Sequence, residues 1–386
     1  MSRGAPRLLL GYLAGITAVI TLAPFRFAPA AAPQLSWRVD PGDVLGNVLL
    51  FLPLGFLFRA AVRSAAARRP LAAFASGAAA SVAFETAQLF LPGRFPSPVD
   101  VLANGAGAGL GAFAHERVES RLDAGLVRVL ALELPLMNLV YLLVPLLWLD
   151  GLAAGGEAGR LVLAPLLGLV GGLVIVAIWR HHLGGLVGRT PAALAALAGC
   201  WYAVGAFPGL ARRPGLLLAG TVVIALIVWL AAGRPAVTAR DRRFELPTLR
   251  RVWPLLGGYL LLSALWPLPW TAREWHGAWG LLALGDMPGV VPMLRALEYL
   301  AAFTLLGYTV AEARGRLVEP PGRLALWVAA VCLAAAAVLE GLRGFHPAHG
   351  ASGLAWLLAG AAGLYGGFIY RRQLATVRAL LAGSRA

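Results

Sequence analysis

The sequence predicts an all-α fold, a polytopic transmembrane bundle of about 12 helices built as two related four-helix units flanking a middle four-helix block. Three observations predict it. The chain is 59% hydrophobic and only 13% charged, with a mean hydropathy of +0.76, against roughly 25% charged residues in soluble domains. Apolar runs of about 20 residues recur along its whole length, enough to cross a hydrocarbon core about 30 Å thick. Finally, one polar pattern occurs twice. Glu85, Pro92, Arg94, Ser97, Asp100, Asn104, Gly105, Gly111 and Phe113 are matched at identical spacing by Glu340, Pro347, His349, Ser352, Ala355, Ala359, Gly360, Gly366 and Phe368.

The helices are expected to begin near residues 6, 43, 70, 98, 128, 161, 191, 215, 252, 291, 323 and 351. The first run, from Leu8 to Leu22, reads as a retained helix, because further spans follow it and not a soluble domain behind a small-residue cleavage site. The second to fourth helices contain the first copy of the pattern. The fifth to eighth form a middle block without a visible repeat, its seventh and eighth helices separated only by the stretch from Pro208 to Pro214. The last four contain the second copy. Charge concentrates around residues 116–128 and 233–251, which gives units at 1–115, 116–250 and 251–386.

Arginine placement sets the expected topology. Every basic residue other than histidine is arginine. With the N-terminus inside, the cytoplasmic segments gather Arg59, Arg63, Arg68 and Arg69, then Arg117, Arg121 and Arg128, then Arg240, Arg242, Arg243, Arg250 and Arg251, and finally Arg371, Arg372 and Arg378. The positive-inside rule then favours twelve spans in the inner (plasma) membrane with both termini cytoplasmic. The net charge of +15 therefore reads as loop arginine, and no nucleic-acid partner is expected. Cys200 and Cys332 lie in apolar runs and offer neither a disulfide framework nor metal-ligand spacing.

The correspondence extends beyond the opening pattern. The segment with Asp43, Asn47, Phe51 and Gly55 aligns with the one containing Arg295, Tyr299, Phe303 and Gly307, and Pro24 and Phe27 align with Pro267 and Trp270. Both units begin inside, so the repeat is parallel and not inverted. Asp100 and Asn104 have become alanines in the second copy, while Glu, Pro, Ser, the glycines and Phe remain. Such selective loss suggests that the first copy kept a task and the second a shape.

The candidate ligand-binding set is Asp43, Asn47, Glu85, Gln88, Arg94, Ser97, Asp100 and Asn104. Asp43 and Asn47 sit one turn apart at the start of the second helix, Glu85 and Gln88 at the end of the third, and Asp100 and Asn104 at the start of the fourth. In the expected topology all lie toward the extracytoplasmic side. Ionisable groups in a membrane are costly and usually face a bundle interior or a wet cavity. Arg94 suits a pairing with Asp100 or Glu85. The structural alternative is that the cluster locks the helices together, with Asp43 and Asp100 as N-terminal caps and, in the second copy, Glu340 paired with Arg343. Gly105, Gly107, Gly109 and Gly111 would let the fourth helix approach its neighbours closely.

The ordered series Asp43, Asn47, Phe51, Pro53 and Gly55, then Glu85, Gln88, Arg94, Ser97, Asp100, Asn104 and Gly107, resembles the VanZ-like family of bacterial membrane proteins over residues 8–115, with a degenerate echo in 252–370. The resemblance implies a small multi-helix membrane domain. One founding member of that family is associated with low-level resistance to the glycopeptide teicoplanin. The resemblance carries no catalytic residues across, and the middle block and second unit depart from the simple family pattern.

Other chemistry is weakly signalled. There is no Walker A loop, HExxH, GxSxG or CxxC. His181 and His182 read as a helix-end pair, and His346 and His349 with Glu340 are too few for a metal centre. Trp266, Trp270, Trp275 and Trp279 suit an interfacial belt. No cofactor is expected. The favoured function is a non-enzymatic envelope protein that contacts membrane lipids and binds a lipid-linked or cell-wall component. A transporter or lipid-moving protein is the alternative, and a membrane-embedded transferase or hydrolase a further one.

Overall fold

The computed structural model describes residues 4–29, 35–37, 39–62, 64–66, 68–121, 124–179, 190–233, 245–268, 271, 274–280, 289–315 and 320–383. His181, His182, Trp270 and several loop arginines, among them Arg63, Arg240, Arg242 and Arg243, lie outside the described residues.

Twelve α-helices occur among the described residues: α1 (Gly4–Leu22), α2 (Pro41–Ala61), α3 (Pro70–Gln88), α4 (Pro98–Glu119), α5 (Ala124–Ala153), α6 (Leu163–Ile178), α7 (Pro191–Leu210), α8 (Pro214–Ala232), α9 (Glu245–Ala264), α10 (Val290–Gly315), α11 (Pro321–Gly344) and α12 (Gly353–Gly383). A short 3-10 turn, Ala158–Val162, precedes α6. Strands β1 (Gly277–Ala278) and β2 (Ala351–Ser352) make a two-residue parallel pair.

All but α5 and α9 begin within two residues of the expected positions. Proline explains much of this accuracy. It opens α2, α3, α4 and α11, where its fixed φ suits the first turn and its missing N–H costs nothing. Helix α9 begins earlier because the polar segment around Arg250 and Arg251 is already helical before the apolar run starts.

Nine helices among the described residues are long and apolar enough to cross a membrane. The chain is a multi-pass membrane protein. Helices α3, α4 and α9 fall short of that hydropathy; α4 carries Asp100, Asn104 and a charged C-terminal turn, and α9 carries two arginines.

The chain forms two compact units. The first is built on α1–α4, the second on α6–α11 with most of α5 and α12. In the first, α4 is clasped from two directions. A side chain at Gly107 or Gly111 would strike the α2 backbone at Val48 or Leu52, and one at Gly55 would strike Ala108. Gly105 and Gly109 instead face Phe74 on α3. Each pair is spaced one turn apart, so one helix presents two small-residue faces. At the far end, Arg59 pairs with Glu116 and Glu119, and Arg68 with Glu119.

In the second unit the same device recurs. A side chain at Gly307 would strike Gly363, and one at Gly366 would strike the Thr304 carbonyl. Helices α5 and α7 cross backbone to backbone at Gly151 and Gly209. Trp148, Tyr202, Tyr259 and Tyr308 are among the largest fully buried side chains of this core.

Candidate functional site

Three loops and helix ends meet at one end of the first unit. Helix α2 starts at the Asp40 cap, whose carboxylate accepts hydrogen bonds from the Gly42 and Asp43 amides at 2.7 and 3.1 Å. Helix α4 starts at the Ser97 cap, whose hydroxyl accepts from the Asp100 amide at 3.4 Å. In the alternative reading Asp43 and Asp100 are caps; the caps are instead Asp40 and Ser97. Each stands three residues past its cap, so its own carboxylate stays available while still favouring the helix dipole.

The predicted residues separate into two groups. Gln88 donates to the Thr21 carbonyl at 3.1 Å and ties α3 to α1. Asn104 donates to the Ser81 hydroxyl at 2.8 Å and ties α4 to α3, leaving its own carbonyl oxygen buried without a partner among the described residues. Glu85 accepts from the Ser97 amide at 2.8 Å, holding the turn that launches α4. Each of these contacts ties helices together or, through Ser97, launches α4.

The second group is more open. Asn47 lies within hydrogen-bonding reach of Asp100, and Asp43 is near enough to act on the same carboxylate. Asp100 in turn acts on Glu85, as does Arg94. Asp43 and Arg94 are exposed, while Asn47, Glu85 and Asp100 are half-buried. The expected close pairing of Arg94 with Asp100 or Glu85 does not form, since no ion pair of Arg94 within 4.0 Å occurs among the described residues. The Asp43 and Asp100 carboxylates thus converge from two helices with little opposing charge, with the Asn47 amide facing Asp100 as a donor.

Residues 8–118 match the VanZ/LLP1 family. The N-terminal unit is a VanZ-like domain. No curated protein and no solved structure matches the chain.

Several contacts in the C-terminal helices parallel those of the VanZ-like domain. Glu340 accepts from the Ser352 amide at 2.8 Å, as Glu85 does from Ser97. The Ser352 hydroxyl accepts from the Ala355 amide at 3.0 Å, as that of Ser97 does from Asp100. The prolines aligned in sequence, Pro24 and Pro267, both follow cis peptide bonds. Glu340 also pairs with Arg343 at 2.9 Å. His346 donates through Nε2 to the Pro267 carbonyl at 3.1 Å, and His349 donates likewise to Trp266. These histidines hold a loop.

Their surroundings differ from those in the VanZ-like domain. An open cleft of about 430 Å³ lies beside Glu340 and Ser352, walled by Trp275, Trp279 and Trp356. Arg295, aligned with Asp43, donates to the Ala153 carbonyl at 3.1 Å and pairs with Glu157 at 3.0 Å.

Sequence reasoning missed a buried charge cluster in the second unit. Arg160 Nη2 donates to Glu298 Oε2 at 2.7 Å, and Arg160 Nη1 lies 3.6 Å from Asp150 Oδ1. The Tyr259 hydroxyl donates to Glu298 Oε1 at 2.5 Å. The only available signal was the isolation of Asp150 and Glu298 within apolar helices. Arg160 resembled an ordinary loop arginine.

Proposed function

We propose that the VanZ-like domain is a non-enzymatic binding module for a lipid-linked or cell-wall component presented at the extracytoplasmic face of a bacterial plasma membrane. In this reading both chain termini are cytoplasmic. One observation carries the proposal: the Asp43 and Asp100 carboxylates, with Asn47 beside Asp100, meet from the N-terminal turns of α2 and α4, and the protein supplies no close cation for them among the described residues. Carboxylates and an amide gathered this way suit a headgroup rich in hydroxyl, amide or ammonium donors. Glycopeptide susceptibility is a phenotype to read alongside binding.

The C-terminal helices fit the role of a duplicated unit that retained the scaffold and lost the acceptors. Alanine stands where Asp100 and Asn104 would be, and arginine where Asp43 would be. Units at 1–115, 116–250 and 251–386 follow from this reading.

The test is complementation of a deletion strain by wild type, Asp43→Ala/Asp100→Ala and Gln88→Ala, scored for envelope stress and glycopeptide sensitivity with membrane abundance measured in each case. A double variant that reaches normal abundance yet fails to complement supports the reading. Full complementation by it would overturn the assigned site, whatever the Gln88 variant does.

A further inference from the structure

The cluster around Arg160 has a charge count that its own residues do not balance. Its three charged side chains are almost wholly shielded, with exposures of 1% for Arg160, 0% for Asp150 and 2% for Glu298. Glu298 is fully engaged, one oxygen by Arg160 and the other by Tyr259. Asp150 is not. Arg160 Nη1 donates at 3.3 Å to its main-chain carbonyl and stands 3.6 Å from Oδ1, and neither carboxylate oxygen accepts a close, well-aligned side-chain hydrogen bond among the described residues.

The other groups facing Asp150 are few. The Ala164 amide, at the start of α6, is turned toward it. The Tyr202 hydroxyl is fully buried, lacks a partner among the described residues and is close enough to respond to its charge. Glu298, on α10, adds a like charge, and Tyr259, on α9, is already committed to Glu298. Two carboxylates therefore share one guanidinium. A buried ionised carboxylate without a compensating charge is strongly disfavoured, and the helix N-terminus supplies only a partial positive charge.

We infer that the cluster binds one further monovalent cation at Asp150, on the side from which the Tyr202 hydroxyl feels its charge. The required chemistry is a single positive charge, supplied by a proton or by an alkali metal ion. A proton would bond to one Asp150 oxygen, with the other oxygen free to accept from Tyr202. An alkali ion would be held between the carboxylate and the phenolic oxygen. The inference is independent of the binding role proposed for the VanZ-like domain.

Infrared spectroscopy of the full-length protein in detergent, in H₂O and D₂O at neutral pH, distinguishes these sources. A deuterium-sensitive carboxylic-acid carbonyl band that is absent in Asp150→Asn identifies a proton. The band should also be lost in Glu298→Gln, where Arg160 is free to neutralise Asp150, and kept in Glu340→Gln. Without such a band, melting temperatures are compared in sodium, potassium and N-methylglucamine chloride at equal ionic strength. An alkali-specific rise that Asp150→Asn or Glu298→Gln abolishes identifies a metal ion. If wild type shows neither the band nor an alkali-specific rise, the inference is overturned. Glu298→Gln carries the same decision if Asp150→Asn fails to accumulate.

Discussion

The VanZ-like domain and the C-terminal helices make parallel packing contacts but use their polar residues differently. In both, a glutamate near the end of one helix accepts from the amide of a capping serine, and glycines bring two helices into backbone contact. In the VanZ-like domain, Asp43 and Asn47 on α2 remain near Asp100 without a close cation among the described residues. On α10, the aligned arginine is absorbed by Glu157 and Ala153, and Glu298 one turn later by Arg160 and Tyr259. The glutamate–serine and glycine contacts common to both regions serve packing, and the Asp43, Asn47 and Asp100 group, confined to the first, is the candidate for recognition.

Four measurements would break or sharpen this contrast. The largest expected effect belongs to the second region. Arg160→Ala leaves the buried Glu298 carboxylate without its cationic partner and should destabilise the protein by about 3–5 kcal/mol, measured as a lower melting temperature in detergent. Next, Gly111→Ala and Gly366→Ala should be similarly harmful, about 3 kcal/mol each, because the added methyl meets backbone and not a movable side chain. Markedly unequal losses would argue against a shared scaffold.

The third measurement is pH dependence. Burial, reinforced by Arg343, holds the His349 imidazole down to about 4 despite its bond to the Trp266 carbonyl. The unfolded chain takes up that proton near pH 6.5. The contribution is therefore complete above about pH 6.5 and is lost as pH falls toward 4. His349→Gln should flatten this part of the melting profile, whereas Arg94→Gln, at the aligned position, should leave it unchanged. Smallest, Ser97→Ala and Ser352→Ala should each cost about 1 kcal/mol through loss of a helix cap. A loss confined to one would show that only one turn depends on its cap.

Helix starts were legible because proline and capping residues mark them locally; Pro70, Pro98 and Pro191 each open a helix at the expected residue. Convergence of Asp43, Asn47 and Asp100 was legible because residues one turn apart share a face. Asp40 and Ser97 were not singled out as caps because they lie just before the apolar runs that draw attention to Asp43 and Asp100. Arg160 was opaque for a different reason. Its partner Glu298 is 138 residues away, so neither spacing nor periodicity links them. A buried arginine also gives no vote on membrane sidedness, although the sequence presents it as a loop charge.

The two glycine faces of α4 also bear on what lengths of chain are admissible. Gly107 and Gly111 key into α2 while Gly105 and Gly109 face α3. Inserting a single residue between Ser97 and Gly105 would turn everything beyond it by about 100° relative to the capped end, setting larger residues against backbone. The helix therefore behaves as a ruler whose graduations cannot be shifted. This accounts for the identical, gapless spacing of the two polar patterns even where their chemistry differs. Deletion and insertion scanning across α4 should accordingly be tolerated less well than many substitutions at Asp100.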